Sequence, residues 1–187
     1  LFTSDLPEFN VSKESRAVII ELLDLDWNAV TPEILGALIQ SIAVPSASGI
    51  CGNYTATANI NKLIGPLYMN ELYTAFGRSK DNSADLLVLL NRVQSITVFD
   101  PECGTGNFLL VAYNELYKLA TLICDRLAEL DVTVDTSELI SAQQFCGIEE
   151  RSFSCNIAKL GFLFSLYQHT SSLVQALNAF LSVKIIN

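Results

Sequence analysis

Asp100 closes a short β-branched and aromatic run, Ile96-Thr97-Val98-Phe99. It is followed by Pro101-Glu102-Cys103-Gly104-Thr105-Gly106-Asn107-Phe108. The run reads as a buried strand of a parallel sheet, residues 102–106 as a tight glycine turn, and residues 107–130 as a long apolar helix. In open α/β sheets, ligands bind beyond the C-terminal ends of the strands. Gly104 and Gly106 let the backbone come close to such a ligand. A second run, Gln144-Phe145-Cys146-Gly147-Ile148-Glu149, also ends in an acid. Asp100 and Glu149 are therefore expected to face one crevice. A carboxylate at the second strand end can accept both hydroxyls of a ribose. These residues suggest a nucleoside-containing cofactor.

What is missing narrows the cofactor. A G-x-G-x-x-G fingerprint fails, because Leu109 stands where its third glycine belongs. No Lys-Ser or Lys-Thr pair offers a phosphate loop. No Arg or Lys cluster flanks the glycine turn, and Asp100 would repel a pyrophosphate. The acid suits an ammonium group instead. A cofactor with an adenosine half and an ammonium-bearing half is S-adenosylmethionine.

The stretch from Asp100 to Leu109 resembles the D-P-A-C-G-x-G-x-F signature of S-adenosylmethionine-dependent DNA adenine methyltransferases. Cys146-Gly147-Ile148-Glu149, followed by a helix, resembles their second motif. Tyr54-Thr55-Ala56-Thr57-Ala58-Asn59-Ile60 resembles the Y-T-S-x-x-N-I segment that precedes the glycine motif. The order is that of the γ-type arrangement. Asp26-Trp27, Pro32-Glu33-Ile34-Leu35-Gly36 and Ile64-Gly65-Pro66-Leu67 with Leu72 are similar to MmeI-like fused restriction–modification enzymes. The resemblance implies that Asp100, with the backbone around Gly104 and Gly106, receives the methionine end, and that Pro101, Cys103 and Asn107 also belong to the cofactor site. It implies that Glu149 holds the ribose, that Tyr54 and Thr55 close the pocket, and that Phe108 lies beside it. Glu102, Glu150 and Ala56 depart from the family pattern. The Asn/Asp-Pro-Pro-Phe/Tyr motif that holds a flipped adenine amine in line with the methyl is absent, the one Asp-Pro being Asp100-Pro101. No catalytic residue is therefore assigned. The resemblance implies the cofactor-binding portion of the enzyme, inactive alone, with the remaining methyltransferase and target-recognition domains as partners and DNA held through other parts of the protein.

Several elements must position these groups. Ser12 is a plausible cap for a helix over 11–26, and Thr31-Pro32 opens another carrying Ile34, Leu35, Leu38, Ile39 and Ile42. Residues 46–57 read as a loop. Residues 58–76 read as helix interrupted at Gly65-Pro66, giving two helices or one kinked helix. A polar link over 77–83 leads to a short helix over 84–93. After the second strand come helices over 152–169 and 173–181, and 183–186 could begin a third strand. The fold class is α/β: a partial Rossmann-like methyltransferase domain, with a parallel sheet and flanking helices, over 94–187. A helical extension over 1–93 precedes it and carries the Tyr54-Thr55 loop.

Composition sets the outer bounds. The chain has 187 residues, of which 50% are hydrophobic and 17% charged. Mean hydropathy is +0.37. That apolar content argues against disorder. The net charge of −9 excludes a free-standing duplex-binding module, which needs a basic footprint. The uncharged stretches are interrupted by polar residues, so no membrane span or membrane partner is expected. The start, LFTSDLPEFN, carries no signal-peptide pattern. Five cysteines without a C-x-x-C pair suggest a reducing cytoplasm and no zinc site. Cys103 reads as a buried filler and Trp27 as a packing anchor, and no dyad is assigned to His169. A second reading is a truncated methyltransferase fold that only pairs with another chain. S-adenosylmethionine affinity separates the two.

Overall fold

The computed structural model describes residues 12–23, 30, 34, 55–170 and 172–187. The chain divides into two compact units, residues 1–31 and 32–187. In the first, α1 (Lys13–Leu23) begins at Ser12, whose Oγ accepts the Ser15 N–H at 3.1 Å. The helix expected after Thr31 lies outside the described residues, apart from Ile34.

The second unit opens with α2 (Thr57–Ile64), a π turn (Gly65–Met69) and α3 (Asn70–Ser79). Pro66 does not break this helix. It has no N–H to give the preceding turn, and the chain absorbs the defect as a wide turn in which the Asn70 N–H donates to the Gly65 carbonyl. The helix runs on to Ser79, so the expected polar link is shorter. Asn82 then caps α4 (Ser83–Ser95), its Oδ1 accepting from the N–H groups of Ala84 and Asp85 at 3.0 and 3.3 Å. Arg126 holds the α3–α4 link, donating to the Lys80 carbonyl at 2.6 Å and pairing with Asp81 at 2.8 Å.

The sheet comprises β1 (Val98–Asp100), β2 (Phe145–Ile148) and β3 (Lys184–Ile186), all parallel, in the order β1-β2-β3. Between β1 and β2 runs α5 (Asn107–Glu129), and between β2 and β3 run α6 (Ser152–Thr170) and α7 (Leu173–Phe180). The third strand thus forms at 184–186. This is a parallel α/β sheet with flanking helices, the partial Rossmann-like arrangement expected. α5 forms the spine of the core because α2, α4, α6 and the sheet all pack on it. Tyr113 on α5 meets Phe145 edge-on at 5.4 Å, and Phe162 of α6 closes the cluster at 5.9 Å from each ring.

Strand alternation corrects the expectation of a fully buried first strand. Val98, Phe145, Gly147 and Ile185 are buried, whereas Phe99, Ile148 and Ile186 are 58%, 44% and 57% exposed. Phe99 pairs in register with Cys146 and Ile148 with Ile186, so these apolar residues share the other face of the sheet.

Gln144, expected to begin the second strand, instead ends a 3-10 turn (Ala142–Gln144). Its buried amide donates to the carbonyls of Val93 at 3.3 Å and Ile96 at 2.7 Å, and its Oε1 accepts the Ser141 N–H at 2.8 Å. One side chain thereby fixes the end of α4 against the start of β2, which sets the register of the two strands that carry the site.

Candidate functional site

Asp100 is the last residue of β1 and Glu149 follows the last residue of β2. Parallel pairing of Asp100 with Gly147 places both carboxylates at the same end of the sheet. The Asp100 carboxylate accepts the Glu102 N–H at 3.1 Å, which turns the chain away from the strand. The Cys103 N–H then donates to the Ile148 carbonyl at 2.9 Å, anchoring the turn to the end of β2. Gly104 and Gly106 both adopt left-handed backbone, at φ +55° and +82°. The Gly106 N–H returns to the Cys103 carbonyl at 2.8 Å, and Gly106 caps α5.

The glycines serve different ends. A Cβ on Gly104 would meet nothing within 4 Å, so open space lies over the turn there. A Cβ on Gly106 would fall 2.8 Å from the Ala158 Cβ, because α6 presses against the turn. Gly147 is required by the same close fit, since its Cβ would lie 2.7 Å from the Cys103 Sγ and 2.9 Å from Leu109. The motif is thus held from both sides by small residues.

The electrostatics favour a cation. Burial pushes the Asp100 carboxyl above the usual aspartate range, against the lowering effect of the Glu102 N–H, and the charges of Glu102 and Glu149 raise it further. A positive group arriving there would relieve this strain. Glu149 is 7% exposed, and its Oε1 accepts the Arg151 N–H at 2.8 Å. The Cys103 thiol is pushed up to about 12, chiefly by burial and then by Asp100 and Glu149, which leaves no thiolate at neutral pH.

The other expected residues fall as follows. Pro101 is exposed in the turn, and Phe108 is half-buried against the core. Asn107 is buried at the first position of α5, and its Nδ2 donates to the Thr55 carbonyl at 3.1 Å. That bond brings Thr55, itself exposed, to the glycine turn across 52 positions of sequence. Tyr54 lies outside the described residues, as do Asp26, Trp27 and Cys51. Glu150 is exposed. His169 sits in the last turn of α6, roughly 25 Å of helix from its start at 1.5 Å per residue. It stacks on Tyr117 at 3.7 Å, lies 3.1 Å from the Asn114 Oδ1, and is pushed down to about 4 by burial and by Lys118. It is a packed, neutral imidazole.

Two positioning residues carry no local sequence signal. Asn187, after β3, donates its Nδ2 to the carbonyls of Glu149 at 2.9 Å and Glu150 at 2.7 Å, fixing the turn that bears the second acid. Ala158 is the small contact that lets α6 reach Gly106. Among the described residues, no group of three His, Cys, Asp or Glu is arranged to hold a metal ion.

The family described as "MmeI, DNA-methyltransferase domain" matches residues 76–185. DNA methyltransferase A of Bacillus subtilis (strain 168) is 36% identical over 175 residues, which is 92% of this chain and 20% of that protein. A solved structure of the type IIL restriction–modification enzyme MmeI in complex with DNA superposes with a TM-score of 0.75 at 33% identity. It covers 98% of this chain and 25% of MmeI. The chain therefore spans about a fifth to a quarter of the length of these relatives. On the match across residues 76–185, which includes both acids and both glycines of the crevice, this chain belongs to the MmeI DNA-methyltransferase domain family.

Proposed function

We propose that this chain supplies the S-adenosylmethionine site of a DNA adenine-N6 methyltransferase in a bacterial restriction–modification system. One observation carries the reading. Two carboxylates at adjacent parallel strand ends flank a left-handed two-glycine turn with open space above Gly104.

The residues fit the group. Asp100, raised by burial and neighbouring acids, would hold the ammonium end. The turn at Gly104 and Gly106, with Pro101 and Cys103 shaping it, would present backbone to the methionine portion. Glu149 would accept the ribose hydroxyls, and Tyr54, Thr55, Asn107 and Phe108 would line the adjoining wall. When bound, S-adenosylmethionine supplies a sulfonium methyl that an amine can accept directly. The chain's own part is to bind and orient. The sequence contains no Asn-Pro-Pro or Asp-Pro-Pro, so the groups that orient the adenine amine must come from elsewhere.

The net charge of −9 assigns the grip on DNA to other parts of a full enzyme. The domain assignment of 1–93 as helical extension and 94–187 as donor-site domain belongs to the same proposal. So does a cytoplasmic setting: the four described cysteines are free, and no described helix is long and apolar enough to cross a membrane.

Thermal unfolding against a ligand panel tests the reading. S-adenosylmethionine at 100 times its dissociation constant adds about 2.7 kcal/mol, or about 5–10 °C for a chain of this size. S-adenosylhomocysteine should act similarly, whereas NAD and ATP should not. A second reading, a non-catalytic module that pairs with another chain, draws support from the exposed Phe99, Ile148 and Ile186. It is favoured if no adenosyl ligand shifts the transition.

A further inference from the structure

The side chain of Asn107 is more than nine-tenths buried at the first position of α5, immediately after the left-handed Gly106. Its two polar atoms have different fates. Nδ2 donates to the Thr55 carbonyl at 3.1 Å. Oδ1 is buried and, among the described residues, has no hydrogen-bond partner. A buried acceptor left unpaired is costly, and native structures retain few of them without a reason. The amide thus stands between the glycine turn and Thr55, with one hand occupied and the other empty.

Among the described residues no N–H or O–H reaches Oδ1. The preceding residues are Gly104, Thr105 and Gly106, and neither glycine brings a side chain. The Gly106 N–H is already spent on the Cys103 carbonyl and the Leu110 N–H on the Gly106 carbonyl. The acids of the crevice, Asp100, Glu102 and Glu149, carry acceptors only when ionised. A ligand that brings an N–H to Oδ1 would satisfy it. An ammonium carries three N–H groups, enough for Asp100 and for one neutral acceptor besides.

We infer that Asn107 is a positioning residue with two tasks: its Nδ2 latches the Thr55 segment to the glycine turn, and its Oδ1 receives an N–H from the amino-acid end of the bound methyl donor. The inference rests on the donor-site reading above and adds a selectivity to it. Adenosine ligands that lack an amino-acid end gain nothing from Oδ1. Ligands that carry one relieve the unpaired acceptor. Because one planar amide serves both partners, filling Oδ1 also fixes the amide that holds Thr55, so ligand arrival and ordering of that segment are coupled.

The test uses the 187-residue chain, two variants and two probes. The probes are S-adenosylmethionine and 5′-methylthioadenosine, which carries the adenosine half alone. Asn107→Ala removes both amide functions. Asn107→Asp keeps an acceptor and removes the donor to Thr55. Asn107→Ala should lose about tenfold in S-adenosylmethionine affinity, the scale of one hydrogen bond to a charged group, with methylthioadenosine affinity unchanged. Asn107→Asp should keep the parent's discrimination between the probes. Both variants should speed hydrogen exchange at residues 55–57. Equal loss of both probes, or no loss, in Asn107→Ala would reduce Asn107 to packing and overturn the inference while leaving the donor site standing. If Asn107→Ala does not fold, Asn107→Asp decides alone: lost discrimination or unchanged exchange at 55–57 overturns the inference. A folded parent that binds neither probe would sink the donor-site reading and this one with it.

Discussion

Replacing Gly104 and Gly106 by alanine, one at a time, should separate binding from folding. Both positions are left-handed, so each Ala pays about 1–2 kcal/mol of backbone strain, offset by about 0.4–1 kcal/mol from a stiffer unfolded chain. The two differ in what the new methyl meets. At Gly104 it meets nothing within 4 Å, and the expected loss of stability is about 0–1.5 kcal/mol. At Gly106 it falls 2.8 Å from the Ala158 Cβ and 3.1 Å from its Cα, which adds an overpacking cost of about 1–3 kcal/mol. Urea unfolding should place the Gly106→Ala midpoint about 1 M below that of Gly104→Ala, given a slope of about 2 kcal/mol/M. Ligand affinity should fall in the opposite order. The Gly104 methyl intrudes on the open space where the donor would lie, so S-adenosylmethionine affinity should drop about tenfold or more, on the scale of one lost close contact set. The clash has its own control. Ala158→Gly in the Gly106→Ala background should recover about 1–3 kcal/mol beyond additivity. Equal destabilisation by the two alanines, no coupling with Ala158, or full affinity in Gly104→Ala would refute the assignment of one glycine to packing and the other to ligand approach.

Gln144→Leu should cost about 3 kcal/mol in urea unfolding, because the carbonyls of Val93 and Ile96 and the N–H of Ser141 lose their partner; a loss below about 1 kcal/mol would contradict the clamp. His169, held neutral with a pKa of about 4, stabilises the fold fully above its ordinary value near 6.5 and loses that contribution as pH falls from there toward 4. Discounted for partial solvent screening, the loss is about 2 kcal/mol, and His169→Phe should remove that part of the acid dependence while keeping the stack on Tyr117. Asp100 has the opposite sign. Its carboxyl is raised in the fold, so ionisation costs stability as pH rises, and Asp100→Asn should raise the unfolding temperature at neutral pH while weakening donor binding. Affinity of the parent for a cationic donor should fall as acid protonates Asp100, above the ordinary aspartate range, and that fall should vanish in Asp100→Asn.

The parts of the site legible in the sequence are those whose causes are local. Asp100, Gly104, Gly106 and Glu149 were readable because strand, left-handed turn and helix start each leave a residue signature within a few positions. The long α5 is legible in its apolar pattern, and the third strand forms at 184–186, within the 183–186 segment expected to begin one. The illegible parts depend on partners far along the chain. Gly65-Pro66 read as an interruption, yet the packing of Ile64, Met69 and Leu72 keeps one continuous helix and pushes the defect into a π turn. Phe99 read as buried, but no covering element reaches its face of the sheet among the described residues. The bonds from Asn107 to Thr55, Asn187 to Glu149 and Gln144 to Ile96 each join residues at least 38 positions apart. No local pattern announces them, and they set the geometry that the motif residues use.

Calorimetric titration with S-adenosylmethionine, on the parent chain and on Asp100→Ala with NAD as a control ligand, tests the central claim most directly. The parent should bind with roughly micromolar affinity, the variant should lose at least about a hundredfold, and NAD should not bind. A folded parent that gives no heat with S-adenosylmethionine, or an Asp100→Ala variant that binds as tightly as the parent, would contradict it.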